Sequence, residues 1–318
     1  MLIFPSRDSG RILRPCSYLL LLVILGVLGS CNSYGPNVIF LYQLDDYPAY
    51  HLIWSPTGKQ LAFTSYSGSR NSSAIYVLDI ETKEAGLFLK AKYGNIRAES
   101  WTPDETKLIF YSNSSNEFED GIWIADVSGI DPPSFLLPRI SVAWSSTGQL
   151  ATTQKENNST LSVSIEDLKT NDKTILLQKM AVAISPLVWS GDGTNLVFSL
   201  DKEEFRRSDI YVINTKTREA HQITNTGTND SPSLSPGGNV VAYVKGDFSG
   251  VTVSYSLHLM NSDGTCDMEV SGLMDVESPA WSPDGKWIAF VGKGNRIFLL
   301  DLVATYGEDF LIKGLACN

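Results

Sequence analysis

A six-bladed β-propeller of four-stranded blades, an all-β fold, is what these 318 residues predict. A turn motif recurs six times, the recurrence is nearly constant in length, and each copy is followed by the same succession of short apolar strands. The copies are Trp54-Ser55-Pro56-Thr57-Gly58, Trp101-Thr102-Pro103-Asp104-Glu105, Trp144-Ser145-Ser146-Thr147-Gly148, Trp189-Ser190-Gly191-Asp192-Gly193, Leu234-Ser235-Pro236-Gly237-Gly238 and Trp281-Ser282-Pro283-Asp284-Gly285. Their first residues lie 47, 43, 45, 45 and 47 apart.

The local chemistry of the turn explains the repeat. Proline presets φ at the first turn position, aspartate bonds backbone amides and glycine takes the positive-φ position, so the chain reverses between two strands. A short apolar run follows, such as LAFTS from Leu61, LIFYS from Leu108 or IAFVG from Ile288. After a variable polar loop comes a second strand, such as IYVLDI from Ile75, IYVIN from Ile210 or IFLLDL from Ile297. A weaker strand closes the unit, for example FLLP from Phe135, TILLQ from Thr174 or HQIT from His221. The tryptophan ends the innermost strand and is expected to pack between neighbouring sheets. One such sheet cannot bury both faces; six around an axis can, and closing the ring protects strand edges.

The run WSPDGKWIAF at 281–290, followed by IFLLDL at 297–302, resembles the repeat of TolB-type propellers, and the resemblance covers residues 38–315. The same unit occurs in propeller domains of prolyl-oligopeptidase-like enzymes. The resemblance implies a binding scaffold of the cell envelope. It departs from TolB itself, which has an α/β domain before the propeller, where only a short tether and one strand precede the first blade here. Two end segments, Val38–Leu44 and Asp309–Lys313, both read as outer strands. The N-terminal one is expected to close the ring by joining the last blade, with the C-terminal one beside or outside it.

The chain divides into three stretches: a signal peptide (1–30), a tether (31–37) and the propeller (38–318). Arg7, Arg11 and Arg14 precede an uncharged run from Tyr18 to Leu28. At 11 residues it suits a signal-peptide core and is too short for the roughly 20 residues of a spanning helix. Leu28-Gly29-Ser30-Cys31 resembles the bacterial lipobox, which implies lipidation of Cys31 and cleavage before it. An ordinary cleaved signal peptide, with Cys31 left as a free or bridged thiol, is the alternative. Such a protein faces the periplasm or the cell surface, held to a membrane by its lipid.

Net charge is −10, and three arginines and one aspartate within residues 1–30 leave −12 on the rest. That surface repels phosphates, so nucleic acid is not an expected partner. Cys266 and Cys317 are a candidate disulfide in an exported protein, two unpaired thiols being the other reading. His51, His221 and His258 fall in or beside strands of different blades and form no spaced metal motif. Asp104, Asp192, Asp263 and Asp284 read as turn residues and not as metal or acid–base pairs. No cofactor is implied.

No Gly-x-Ser-x-Gly nucleophile elbow occurs, and the chain ends within a few residues of the last blade, so a hydrolase domain is not expected. Two functions stay open: a module binding an envelope protein or peptide, and a propeller enzyme acting on a glycan as lyase or glycosidase. On either reading the loops between the second and third strands are the candidate binding face. They carry Arg70, Glu117, Phe118, Asp120, Glu203, Phe205, Arg206, Arg207 and Phe248.

Overall fold

The computed structural model describes residues 37–44, 48–67, 72–91, 94–113, 119–157, 159–202, 208–250, 252–308, 310 and 315. The chain opens on β1 (Val38–Gln43). Blade one is β2 (Ala49–Trp54), β3 (Gln60–Ser67), β4 (Ser72–Asp79) and β5 (Ala85–Lys90). Blade two is β6 (Ile96–Trp101), β7 (Lys107–Ser112), β8 (Gly121–Asp126) and β9 (Ser134–Leu137). Blade three is β10 (Ser141–Trp144), β11 (Leu150–Asn157), β12 (Thr160–Glu166) and β13 (Lys173–Met180). Blade four is β14 (Ala183–Ile184), β15 (Val188–Trp189), β16 (Asn195–Asp201), β17 (Ser208–Asn214) and β18 (Ala220–Gln222). Its first two strands are one inner strand interrupted around Pro186, which has no amide hydrogen to give the ladder. Blade five is β19 (Asn229–Leu234), β20 (Val240–Asp247), β21 (Ser254–Asn261) and β22 (Met268–Met274). Blade six is β23 (Glu277–Trp281), β24 (Trp287–Gly292) and β25 (Arg296–Asp301), followed by α1 (Leu302–Tyr306).

The core lies between sheets. Leu61, Phe63 and Leu78 of blade one pack with Ala289, Val291 and Ile297 of blade six. On its other face, Ala62 and Ile75 meet Leu108 and Phe110 of blade two. The motif tryptophans tie blades together. Trp54 Nε1 donates to Ala280 O at 3.0 Å, Trp101 Nε1 to Ile53 O at 3.2 Å and Trp189 Nε1 to Ala143 O at 2.9 Å. Each bond runs to the preceding blade, one residue before that blade's own motif tryptophan, or, from blade one, to blade six. In these three the indole satisfies its donor while its ring fills the gap between sheets, whereas the buried Trp281 Nε1 has no hydrogen-bond partner among the described residues.

The turns have the predicted chemistry. Thr102, Ser190 and Ser282 donate their hydroxyls to Asp104, Asp192 and Asp284 at 2.6, 2.5 and 2.6 Å. The same carboxylates accept the amides of Thr106, Thr194 and Lys286. Asp263 accepts the Thr265 amide at 2.9 Å in a turn between third and fourth strands. Gly58, Gly148, Gly193, Gly238 and Gly285 take positive φ, and at the matching place in blade two Glu105 does so, at φ 59. Its carboxylate accepts the Thr57 amide and hydroxyl, clasping the turns of blades one and two.

β1 pairs antiparallel with β25, Val38 opposite Leu300 and Gln43 opposite Arg296, and so supplies the outer strand of blade six. Of the C-terminal segment expected as an outer strand, Asp309–Lys313, only Phe310 lies within the described residues. Asp301 caps a short helix by accepting the Ala304 amide at 2.8 Å, and Phe310 is helical, not part of a strand. It stacks on Trp281, ring centroids 6.4 Å apart. Each blade therefore has two ends: a turn end, with the motif turns and the turns between third and fourth strands, and a loop end, with the longer loops and the links between blades. No helix among the described residues is long and apolar enough to cross a membrane.

Candidate binding site at the channel and loop end

The innermost strands of all six blades surround a central channel of about 480 Å³. Towards the turn end its wall is made by the motif tryptophans and by Pro56, Pro103, Pro236 and Pro283, with Ser145, Ser146, Ser190 and Ser282 among them. Towards the loop end His51, Glu99, Ser231 and Ser278 join the lining, three of them at backbone irregularities. His51, Ser231 and Ser278 stand three residues before Trp54, Leu234 and Trp281, and all three have left-handed φ, at 52, 51 and 50. The strand register slips at each place, as bulges do when they re-aim a side chain. All three line the channel. The His51 amide donates to Ser278 Oγ at 3.1 Å, joining blades one and six.

Blade two contributes the densest polar group. Arg97 and Glu99 occupy one side of β6 at alternate positions, with Arg97 Nε 2.5 Å from Glu99 Oε1. Glu99 Oε2 accepts from the Ser141 hydroxyl and the Val142 amide, and Arg97 Nη2 donates to Ile140 O at 3.0 Å, so the pair also binds blade two to blade three. Burial pushes the Glu99 carboxyl above the ordinary carboxylate range, and the Arg97 charge works against it. The guanidinium lies 5.3 Å over the Tyr111 ring, a cation–π contact. Tyr111 donates its hydroxyl to Asp120 at 2.8 Å. Burial, then the Asp120 hydrogen bond, pushes the Tyr111 phenol up to about 12. Beside this group Tyr50 and Tyr66 meet edge to face at 5.4 Å. Burial first, and then Arg97, pushes the His51 imidazole down to about 3, so it stays neutral. In blade six, burial and the Asp275 charge raise the Glu277 carboxyl.

Further from the axis, the loop end exposes apolar side chains. Met180 and Val182 stand between blades three and four, and Phe248, Val253 and Met274 belong to blade five. Phe248 is 55% exposed and meets Tyr255 edge to face at 6.5 Å. Of the loop residues singled out in the sequence, Asp120 and Phe248 are described. They lie on blades two and five and do not meet; Asp120 holds Tyr111, while Phe248 points outward. Arg70, Glu117, Phe118, Glu203, Phe205, Arg206 and Arg207 lie outside the described residues, as do Cys31 and Cys317. Cys266 is disulfide-bonded, its partner likewise outside them. Among the described residues no group of three or more His, Cys, Asp or Glu is placed to hold a metal ion.

The loop-end network of Tyr50, Tyr66, Arg97, Glu99 and Tyr111, of which Glu99 lines the channel, was not singled out in the sequence. Its members sit on strands with no motif, and only alternation marks Arg97 and Glu99 as sharing a face.

Comparison with known proteins gives the chain a family. The chain is 26% identical over 270 residues to the Tol-Pal system protein TolB of Francisella tularensis subsp. mediasiatica, covering 81% of this chain and 59% of that one. It thus spans about three fifths of the length of the curated relatives it matches. Among solved structures, TolB from Acinetobacter baumannii superimposes with a TM-score of 0.55 at 16% identity, over 80% of this chain and 63% of that chain. An oligogalacturonate lyase from Vibrio parahaemolyticus gives 0.52 at 12% identity, over 84% and 97%. A gluconolactonase from Xanthomonas campestris gives 0.60 at 12% identity, over 83% and 89%. These structural likenesses show the propeller fold. A family model for the TolB beta propeller domain matches residues 122–305, more than half of the chain, and the protein belongs to that family.

Proposed function

We propose that this propeller is an exported binding module of the bacterial cell envelope, anchored by lipid at Cys31, whose loop end receives a protein or peptide. The observation that carries the reading is the composition of the loop end, where Met180, Val182, Phe248, Val253 and Met274 are exposed on blades three to five, at the same end of the ring as Tyr50, Tyr66, Tyr111 and Arg97 of blades one and two. Exposed apolar, aromatic and arginine side chains at one end of a rigid scaffold are the chemistry of protein contact surfaces. The relatives named as Tol-Pal system proteins support an envelope setting and a protein partner. The N-terminal charge pattern and Leu28-Gly29-Ser30-Cys31 support export and lipidation.

A soluble form beginning at Asn32, incubated with envelope extract, retains a protein that Phe248→Ser and Met274→Ser variants retain at least severalfold less. Equal retention by the variants removes the loop end as the contact surface. Labelling with a lipid precursor tests the anchor, because a Cys31→Ser chain that still incorporates lipid has its lipid elsewhere.

A further inference from the structure

Exposed apolar side chains occur at the turn end as well as at the loop end. Ile130, 83% exposed, tips the turn between third and fourth strands of blade two, just before Pro132 and Pro133. Leu168, 40% exposed, occupies the corresponding turn of blade three. Ile39 and Phe40, both exposed, lie in the first half of β1 on the rim of blade six, nearest its turn end.

The point where the chain enters the ring distinguishes the two ends. β1 runs from the turn end to the loop end, because Val38 pairs with Leu300 and Gln43 with Arg296. Asn37 is pinned at the start of β1. Its amide donates to Thr305 Oγ1 at 3.1 Å, its side-chain amide donates to Ala304 O at 2.8 Å, and its carbonyl accepts the Asp301 amide at 2.8 Å. Cys31 precedes Asn37 by six residues, a chain length that reaches about 20 Å when fully extended. β1 itself climbs about 20 Å from its start to the loop end. A tether from Asn37 that had to lay the loop end on the lipid would spend its whole length climbing the blade, with nothing left to cross the face. No such cost arises at the turn end.

Resting on the reading that Cys31 carries lipid, we propose that the turn end docks on the phospholipid leaflet that holds this lipid. Ile130 and Leu168 enter the boundary between headgroups and acyl chains, where short apolar groups bind by the area they bury. Blades two and three lie across the axis from blades five and six, so the tips and the tether support the ring on opposite sides and hold its axis near the membrane normal. Without residues 1–30 the lipidated chain carries −12, which repels anionic lipid at long range, so the contact depends on the apolar tips and the covalent lipid. The loop end then points away from the bilayer, open to a partner.

The test uses the full lipidated chain, reconstituted in phosphatidylethanolamine and phosphatidylglycerol vesicles containing a lipid with a quencher high on its acyl chain. An environment-sensitive fluorophore is attached in separate preparations to Ile130→Cys, Leu168→Cys and Val253→Cys, all exposed positions. Quenching at 130 and 168 is expected to exceed that at 253 at least severalfold, and a water-soluble quencher should give the reverse order. Equal quenching at all three positions, stronger quenching at 253, or none at 130 and 168 overturns the docking. The mass of the N-terminal peptide separates the two failures. A peptide without diacylglyceryl at Cys31 sinks the anchor and the docking together, whereas a lipidated peptide with silent fluorophores at 130 and 168 sinks the docking alone.

Discussion

Acidification should destabilise the protein through His51, and one substitution isolates the effect. Burial first, and then the Arg97 charge, holds the folded imidazole down at about 3, against an ordinary value of 6.5. Between those two values the unfolded chain binds a proton that the folded protein refuses, so stability falls as pH falls. The loss is absent above about pH 6.5, grows below it and levels off near about pH 3. For one proton the slope approaches about 1.4 kcal/mol per pH unit. From about pH 7.5 to about pH 5, wild type should therefore lose about 2 kcal/mol relative to a variant without the imidazole. His51 lines the channel and is only partly buried, so the response of channel water can reduce the difference to about 1 kcal/mol. Asparagine is the suitable replacement because φ at this position is 52, in the left-handed region it tolerates. Urea unfolding of wild type and His51→Asn across this pH range measures the difference. A gap between the two proteins that stays constant with pH would refute the assigned environment.

Other measurements probe other parts of the ring. Glu105 stands at φ 59, where a side chain costs about 1–2 kcal/mol and glycine costs about 0.4–1 kcal/mol in unfolded-chain entropy. Since Ala and Gly variants both lose the clasp on Thr57, Glu105→Gly should exceed Glu105→Ala by about 0.5–1 kcal/mol in chemical unfolding; the opposite order contradicts the turn geometry. Burial pushes the Asp267 carboxyl up, but hydrogen bonds from His258, Lys245 and Tyr243 outweigh it and hold it below the usual carboxylate range. Its depressed value makes the group stabilising above about pH 4 and progressively less so in stronger acid. Asp267→Asn should accordingly lower Tm at neutral pH and converge with wild type on acidification, a convergence whose absence counts against the network. Leu315 exchanges two hydrogen bonds with Asn261, each 3.2 Å, which brings the chain two residues before Cys317 close to the turn bearing Cys266. A non-reducing peptide map should join the Cys266 and Cys317 peptides, and reduction should cost about 2–4 kcal/mol; a Cys266 peptide joined elsewhere or free excludes the pairing.

The six turns were legible in the sequence because their chemistry is local: a hydroxyl and a left-handed residue within five positions, joined in three of the turns by an aspartate, organise the reversal before any tertiary contact. Their near-constant spacing then implied the ring. The part that could not be read depends on partners distant in sequence. Asp309–Lys313 has the apolar run of an outer strand, yet Asp301 and Gly307 bracket a short helix just before it, and Phe310 beyond that helix stacks on Trp281. The bulges at His51, Ser231 and Ser278 carry no glycine to announce left-handed backbone. Arg97 and Glu99 are polar residues in an inner strand, a pattern that becomes meaningful only when Ser141 and Ile140 of the next blade arrive to receive them.

The pairing of β1 with β25 sets an order of events in folding. Five blades can each assemble from strands close in sequence, but Val38 must wait for Leu300, and closing so long a loop carries a large entropic cost before any contact repays it. During synthesis or export the first strand emerges early and remains unpaired until the last blade follows. For that interval the chain holds two open edges, one on β1 and one on β25, each able to recruit a foreign strand. Completion of the sixth blade removes both at once, so the slowest contact to form is also the one that ends the period of greatest vulnerability to misassembly.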